Sequence, residues 1–118
     1  MSYENDFEIT LAQHGATTVA AIVGSVDTLT ADNLLTSLQG EIGEGRVQLV
    51  GDFGGVDYTS SGGLRALLAA TREARTRGGD LRLAAVSDRV RKVLDLSGFT
   101  SILRLYPDVP AAVASYTS

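Results

Sequence analysis

The spacing of hydrophobic and polar positions changes several times along this chain, and each change predicts an element. Phe7-Glu8-Ile9-Thr10-Leu11-Ala12 alternates apolar and polar side chains, the period-2 pattern of a half-buried strand. Thr17-Thr18-Val19-Ala20-Ala21-Ile22-Val23 is β-branched and nearly continuous, and with Gly15 between the two runs they read as a hairpin, edge strand first. Gly24 closes the second strand on this reading. From Thr28 to Leu38 the period becomes helical: Leu34, Leu35 and Leu38 follow a candidate N-cap at Asp27 or Thr28, and Gly43 or Gly45 marks the end.

Val47-Gln48-Leu49-Val50-Gly51-Asp52-Phe53 predicts a short strand. Leu64, Leu67, Leu68 and Thr71 then fall at i, i+3, i+4 and i+7 of a second helix. Its last turns carry Arg72, Arg75 and Arg77, favourable beside the carbonyl end of the helix dipole, and Gly78-Gly79 supplies the stop. Leu81 to Val86 is a further strand, and Ser87 caps a helix with Val90, Val93 and Leu94 inward and Gly98 at its end. Ser101 to Leu105 is the last strand, and Asp108 with Pro110 opens a terminal helix. The order β-β-α-β-α-β-α-β-α predicts an α/β fold with a mixed β-sheet and helices packed against it. Strands joined through helices are expected to be parallel, and the opening hairpin antiparallel.

Composition narrows the class. The length of 118 residues predicts a single domain spanning 1–118, and 44% hydrophobic with 20% charged residues is a globular mix rather than a disordered one. The absence of cysteine removes disulfides, thiolate metal sites and cysteine nucleophiles, which fits a reducing, cytoplasmic setting. No apolar run approaches the roughly 20 residues that span a bilayer. The start, Met1 to Asp6, is acidic, unlike a signal peptide, so neither membrane insertion nor export is expected. A net charge of −4 argues against nucleic acid, whose binding draws on phosphate neutralisation, and points to a protein partner. The first 45 residues contain no Lys or Arg, whereas Arg65, Arg72, Arg75, Arg77, Arg82, Arg89, Arg91 and Lys92 follow, so the surface is expected to be polarised.

The candidate chemistry lies in Asp57-Tyr58-Thr59-Ser60-Ser61-Gly62-Gly63-Leu64-Arg65, between a strand and a helix, where open α/β sheets place their ligand sites. A serine at such a helix start is exposed beside free N–H groups, and a phosphate added there is well held. The same pattern arises if Ser60 or Ser61 is only an N-cap and Gly62-Gly63 only eases helix–sheet packing; both readings stay open on pattern alone. Nucleotide-loop spacings are missing, and Asp52-Phe53-Gly54 matches a kinase magnesium loop only by coincidence in a chain this short. His14, the one histidine, falls at the end of the first strand, away from the serines, so a catalytic triad is not expected. Asp52 and Asp57 flank the motif and could hold a divalent ion, although an Asp ending a strand more often caps a turn. No cofactor and no metal are expected.

These residues resemble a STAS domain of the anti-sigma factor antagonist family. The resemblance rests on Gly24-Ser25-Val26-Asp27, on Val47 to Asp52 leading into Val56 to Arg65, on Gly78-Gly79 with Leu81-Arg82-Leu83, and on Val90 to Phe99. It implies the STAS fold and a binding module rather than an enzyme. The implied partner is an anti-sigma factor that is also a serine kinase of the histidine-kinase-like ATPase fold, with a serine phosphatase reversing the modification. It implies a partner-binding face at Asp27, Asp57, Thr59, Ser60, Ser61, Gly62, Gly63, Leu64 and Arg65. The family's usual motif is D-S-S-G-L, with the second serine taking the phosphate. Aligned on Val56-Asp57 and Gly63-Leu64, Gly62 stands at that acceptor position, as in the family variant S-S-A-G-L-R. Ser61 is then the first candidate acceptor and Ser60 the next. Two alternatives stand beside the partner switch: a STAS scaffold or transporter-accessory domain that binds without switching, and a small-ligand or nucleotide binder using the glycine turn.

Overall fold

A computed structural model describes residues 7–117, so the acidic start at Met1 to Asp6 lies outside the described residues. The elements are β1 (Glu8–His14), β2 (Thr17–Val26), α1 (Thr28–Gly43), β3 (Gln48–Thr59), α2 (Ser61–Thr76), β4 (Asp80–Ala84), α3 (Asp88–Leu96), a 3₁₀ turn (Phe99–Ser101), β5 (Arg104–Tyr106) and α4 (Val109–Ala114). The sheet has the spatial order β1-β2-β3-β4-β5. β1 is antiparallel to β2 and every other neighbouring pair is parallel, as the element order predicts.

Alternation along the strands sends side chains to two faces. Ala20, Ile22, Leu49, Phe53, Leu81 and Leu83 point into a core shared with Leu34, Leu38 and Ile42 of α1, Leu64 and Leu67 of α2, and Val90 and Leu94 of α3. Val19, Val50 and Ala84 form a smaller layer on the opposite face, packed against Ala112 of α4. Full burial of a Leu, Ile or Phe side chain contributes about 1.5–3 kcal/mol, so the larger layer supplies most of the driving force.

A polar anchor closes the amino-terminal end of the sheet. Asp80, 5% exposed, accepts hydrogen bonds from Arg75 Nε at 2.8 Å, Arg82 Nε at 3.0 Å and its neighbour Leu81 N at 2.9 Å. Arg82 also lies 4.0 Å from the centre of the Tyr116 ring. The Tyr116 hydroxyl reaches the carbonyls of Leu49 (2.7 Å) and Asp80 (2.8 Å) and accepts from Leu49 N (3.2 Å), tying β3 and β4 to the segment after α4.

Several boundaries differ from the pattern-based expectation. β2 does not close at Gly24 but runs on to Val26, and β3 continues past Phe53 to Thr59. Gly54-Gly55 therefore lies inside a strand rather than a turn. The ladder absorbs this with register shifts between Ala21 and Val23 and between Gly24 and Ser25. A side chain at Gly55 would stand 2.9 Å from the Ile22 carbonyl oxygen, so the glycine serves close strand approach. β4 ends at Ala84 instead of Val86 because Ala85 takes φ +57° and turns the chain. Ser101 belongs to the 3₁₀ turn, its hydroxyl bonded to Gly98 O at 2.7 Å, so the last strand starts at Arg104 rather than at Ser101.

Candidate functional site

Two helices begin side by side at the carboxyl ends of adjacent parallel strands. β2 delivers Asp27, whose carboxylate accepts from Leu29 N (2.9 Å) and Thr30 N (3.1 Å) while Thr30 Oγ1 accepts from Asp27 N (2.9 Å). This capping box starts α1, with Thr28 as its first helical residue. β3 delivers Ser60, whose Oγ accepts from Gly63 N at 3.3 Å and whose N–H donates to Val26 O at 2.9 Å. Of the two serines, Ser60 is thus the N-cap of α2, and Ser61 is its first helical residue.

The two starts touch through the glycines. A side chain at Gly63 would stand 2.6 Å from Thr59 Oγ1, 2.8 Å from Val26 Cγ1 and closer still to the Val26 carbonyl oxygen; only a glycine lets α2 seat on the end of β2. A side chain at Gly62 would stand 3.1 Å from Thr28 Oγ1. Between α1 and α2 runs an open groove of about 370 Å³, lined by Thr28, Ala31, Asp32, Leu35, Gly62, Arg65, Ala66 and Ala69.

The residues singled out from sequence come together, but not all face outward. Asp57, Ser61 and Arg65 are exposed, and Asp27, Ser60 and Gly62 are half-buried. Thr59, Gly63 and Leu64 are buried and hold this surface in place. Asp57 accepts from Ser25 Oγ at 3.1 Å, which ties the ends of β2 and β3. Sequence reasoning missed the apolar part of this end: Leu29 is 84% exposed, and Val23 and Tyr58 are each 48% exposed. For Leu29 a signal existed, because it stands off the buried stripe of α1 formed by Ala31, Leu34, Leu38 and Ile42.

The paired helix starts leave an exposed surface at this end of the sheet. The exposed hydroxyl of Ser61 sits where the first N–H groups of α2 have no partner within the helix. His14 lies at the hairpin end of the sheet, opposite the helix starts. Asp52 spends its carboxylate on Gly54 N at 2.9 Å and Asp57 on Ser25, and no group of three or more metal-ligating side chains converges among the described residues. A carboxylate far from the helix starts is perturbed: the Arg46 guanidinium, 2.8 Å from Glu41, holds that carboxyl below its ordinary range. No described helix is long and apolar enough to cross a membrane.

Comparison with known proteins places this geometry. The family model described as STAS domain matches residues 8–112. BtrV of Bordetella bronchiseptica, provisionally named an anti-sigma factor antagonist, is 34% identical over 98 residues, covering 83% of this chain and 84% of BtrV. The crystal structure of an anti-sigma factor antagonist from Mycobacterium paratuberculosis superposes with a TM-score of 0.88 at 22% identity, covering 100% of both chains. The Bacillus cell fate determinant SpoIIAA in its phosphorylated form superposes with a TM-score of 0.72 at 20% identity, covering 92% of this chain and 99% of that one. At such identities the two structures speak for the fold.

Proposed function

The chain belongs to the STAS domain family, and from that premise we propose that it is an anti-sigma factor antagonist: it binds an anti-sigma factor and so frees the sigma factor which that protein holds. It is a binding protein and not an enzyme. The observation that carries this reading is the 34% identity to BtrV across 83% of the chain, a relative named for the role. The paired helix starts supply a surface to match. Asp27, Asp57, Ser61 and Arg65 form its polar part, Leu29 and Tyr58 its apolar part, and the α1–α2 groove lies between them.

The finer reading is a partner switch in the cytoplasm. The anti-sigma factor is also a serine kinase of the histidine-kinase-like ATPase fold, and a serine phosphatase reverses its action. Ser61 is the acceptor ahead of Ser60, because the Ser60 hydroxyl is engaged in capping α2 whereas Ser61 is exposed. A phosphate adds about −1.5 to −2 charge at this surface and weakens an acidic or tightly fitted partner contact without unfolding the domain. A loss of roughly 1–3 kcal/mol of complementarity corresponds to about a 5- to 150-fold weaker complex.

The test is a binding titration with the cognate anti-sigma factor, with and without ATP. Complex formation, phosphate on Ser61 by mass spectrometry, and weaker binding of Ser61→Asp than of Ser61→Ala are expected. Absence of any complex with an active kinase refutes the antagonist role. A complex without phosphate on any hydroxyl leaves the constitutive scaffold, the outcome that glycine at position 62 favours.

A further inference from the structure

β1 is an open edge whose sequence complements itself. It pairs with β2 from Glu8 to His14, and among the described residues β2 is its one substantial neighbour. The connection to β2 is the two-residue loop Gly15-Ala16, with Gly15 at φ +64°. The residues flanking a two-residue hairpin loop exchange both backbone hydrogen bonds, and such pairs recur at every second residue. His14, Ala12, Thr10 and Glu8 therefore direct N–H and C=O toward β2, and Gln13, Leu11 and Ile9 direct theirs away from the sheet.

Proteins ordinarily shield such an edge by making it short, charged, bulged or proline-containing. β5, the opposite edge, fits that description, with three residues, Arg104 at its start and Pro107 just beyond it. β1 is less shielded: it has seven residues, no Lys, Arg or Pro, a single charged side chain in Glu8 at its start, and an unbroken register with β2. Leu11, at its centre, is 41% exposed.

We propose that the outer edge of β1 is a self-association surface, on which a second copy of this chain adds its own β1 antiparallel about a two-fold axis at Leu11. In that register Leu11 faces the second copy's Leu11, Ile9 faces Gln13, Thr10 faces Ala12 and Glu8 faces His14. All three outward residues become closely bonded pairs, giving about six N–H···O bonds. The strand's single carboxylate meets its single imidazole on both sides of the axis, and the two Leu11 side chains meet on the face where Ile9 already packs against the core. Sliding either strand by two residues leaves Glu8 opposite Ala12 or outside the pairing. The contact is isologous, so it closes at a dimer, and the five-stranded sheets join into one of ten strands. The helix starts at the ends of β2 and β3 stay free, and the dimer displays two copies of the recognition face, which raises avidity for a partner that is itself dimeric.

A single strand pair is a small interface, so a dissociation constant on the order of 100 μM is expected. Sedimentation velocity from low micromolar to millimolar protein should show monomer passing to dimer. In NMR the amides of Ile9, Leu11 and Gln13 should shift with concentration and gain exchange protection, while those of Thr10 and Ala12, bonded to β2 already, should not. Leu11→Lys puts like charges opposite each other and should abolish the dimer. His14→Glu should weaken it, and the double variant Glu8→Lys with His14→Glu should restore it; this charge exchange decides the matter if Leu11→Lys disturbs the fold. Monomer at all concentrations overturns the proposal, as does a dimer in which the amides of 9, 11 and 13 stay unchanged or the charge exchange fails to rescue. A monomer that still binds its anti-sigma factor overturns this inference alone and leaves the proposed function standing.

Discussion

Replacing Gly63 by alanine tests whether the recognition surface depends on how closely α2 seats on β2. The added methyl would stand 2.6 Å from Thr59 Oγ1 and 2.8 Å from Val26 Cγ1, with the Val26 carbonyl oxygen nearer still. Carbon atoms settle at about 3.5–4.0 Å, so the first turn of α2 must withdraw on the order of 1 Å from a backbone atom that is itself held in the sheet. Overpacking of this kind costs about 1–3 kcal/mol, and the gain from alanine over glycine in a helix, up to about 1 kcal/mol, offsets part of it. A net loss of roughly 1–2 kcal/mol is expected, or about 4–10 °C in Tm for a domain of this size. Gly62→Ala is the control: its methyl would meet Thr28 Oγ1 at 3.1 Å and Thr28 Cα at 3.3 Å, contacts that relax by a few tenths of an ångström. Its stability should stay within about 1 kcal/mol of the parent. Urea denaturation of the three proteins measures both differences. A Gly63→Ala protein with the parent's midpoint and slope would refute the reasoning, because it would mean that the end of β2 yields at no cost.

Two further perturbations probe the anchor at the other end of the sheet. Asp80→Ala leaves the Arg82 side chain, 12% exposed, without its carboxylate and should cost about 3–5 kcal/mol, read as a large fall in the urea midpoint. An unchanged midpoint would show the ion pair to be dispensable. Burial, with the Asp80 charge nearby, pushes the Tyr116 phenol well above its ordinary value. A raised folded-state value means that the folded protein holds this proton longer than the unfolded chain, so the associated stability is intact below about pH 10 and falls as pH rises further. Tyr116→Phe should be less stable at neutral pH by about 1 kcal/mol and should lose less between pH 8 and pH 11 than the parent does. Parallel pH profiles for the two proteins would contradict this assignment.

Element order and strand direction were legible because period-2 and helical spacing alternate cleanly, and Asp27 and Ser60 occupy cap positions for reasons local to their own segments. Strand length was not legible where a glycine serves tertiary contact. Gly54-Gly55 has turn composition, yet the bare backbone is needed there because Ile22 O lies too close for a side chain. Nor does an amphipathic pattern say which side of a sheet a helix will cover: α4 packs alone on the face of Val19, Val50 and Ala84. At the candidate site, the sequence reading set Thr59, Gly63 and Leu64 beside Ser60, Ser61 and Arg65 without telling buried positions from accessible ones. Their burial follows from the approach of α2 to β2, which local pattern does not encode. The Arg75–Asp80–Arg82 cluster escaped notice because it forms only when the end of α2 meets the start of β4.

The extra length of β2 and β3 has a mechanical consequence. β4 pairs with β3 only as far as Asp52, whereas β3 continues to Thr59 beside β2. Beyond Asp52 those two strands run on together, with Val23 and Tyr58 partly exposed, Phe53 and Val56 still in the main core, and both helix starts at their ends. A load on the helix starts enters the ends of β2 and β3 and also passes along α2, which is held to β4 at its far end through Arg75 and Asp80. Beyond Asp52 the strand pair has no β4 beside it, so substitutions at the exposed positions Asp57 and Tyr58 should change how the helix starts are held before they change whether the domain folds.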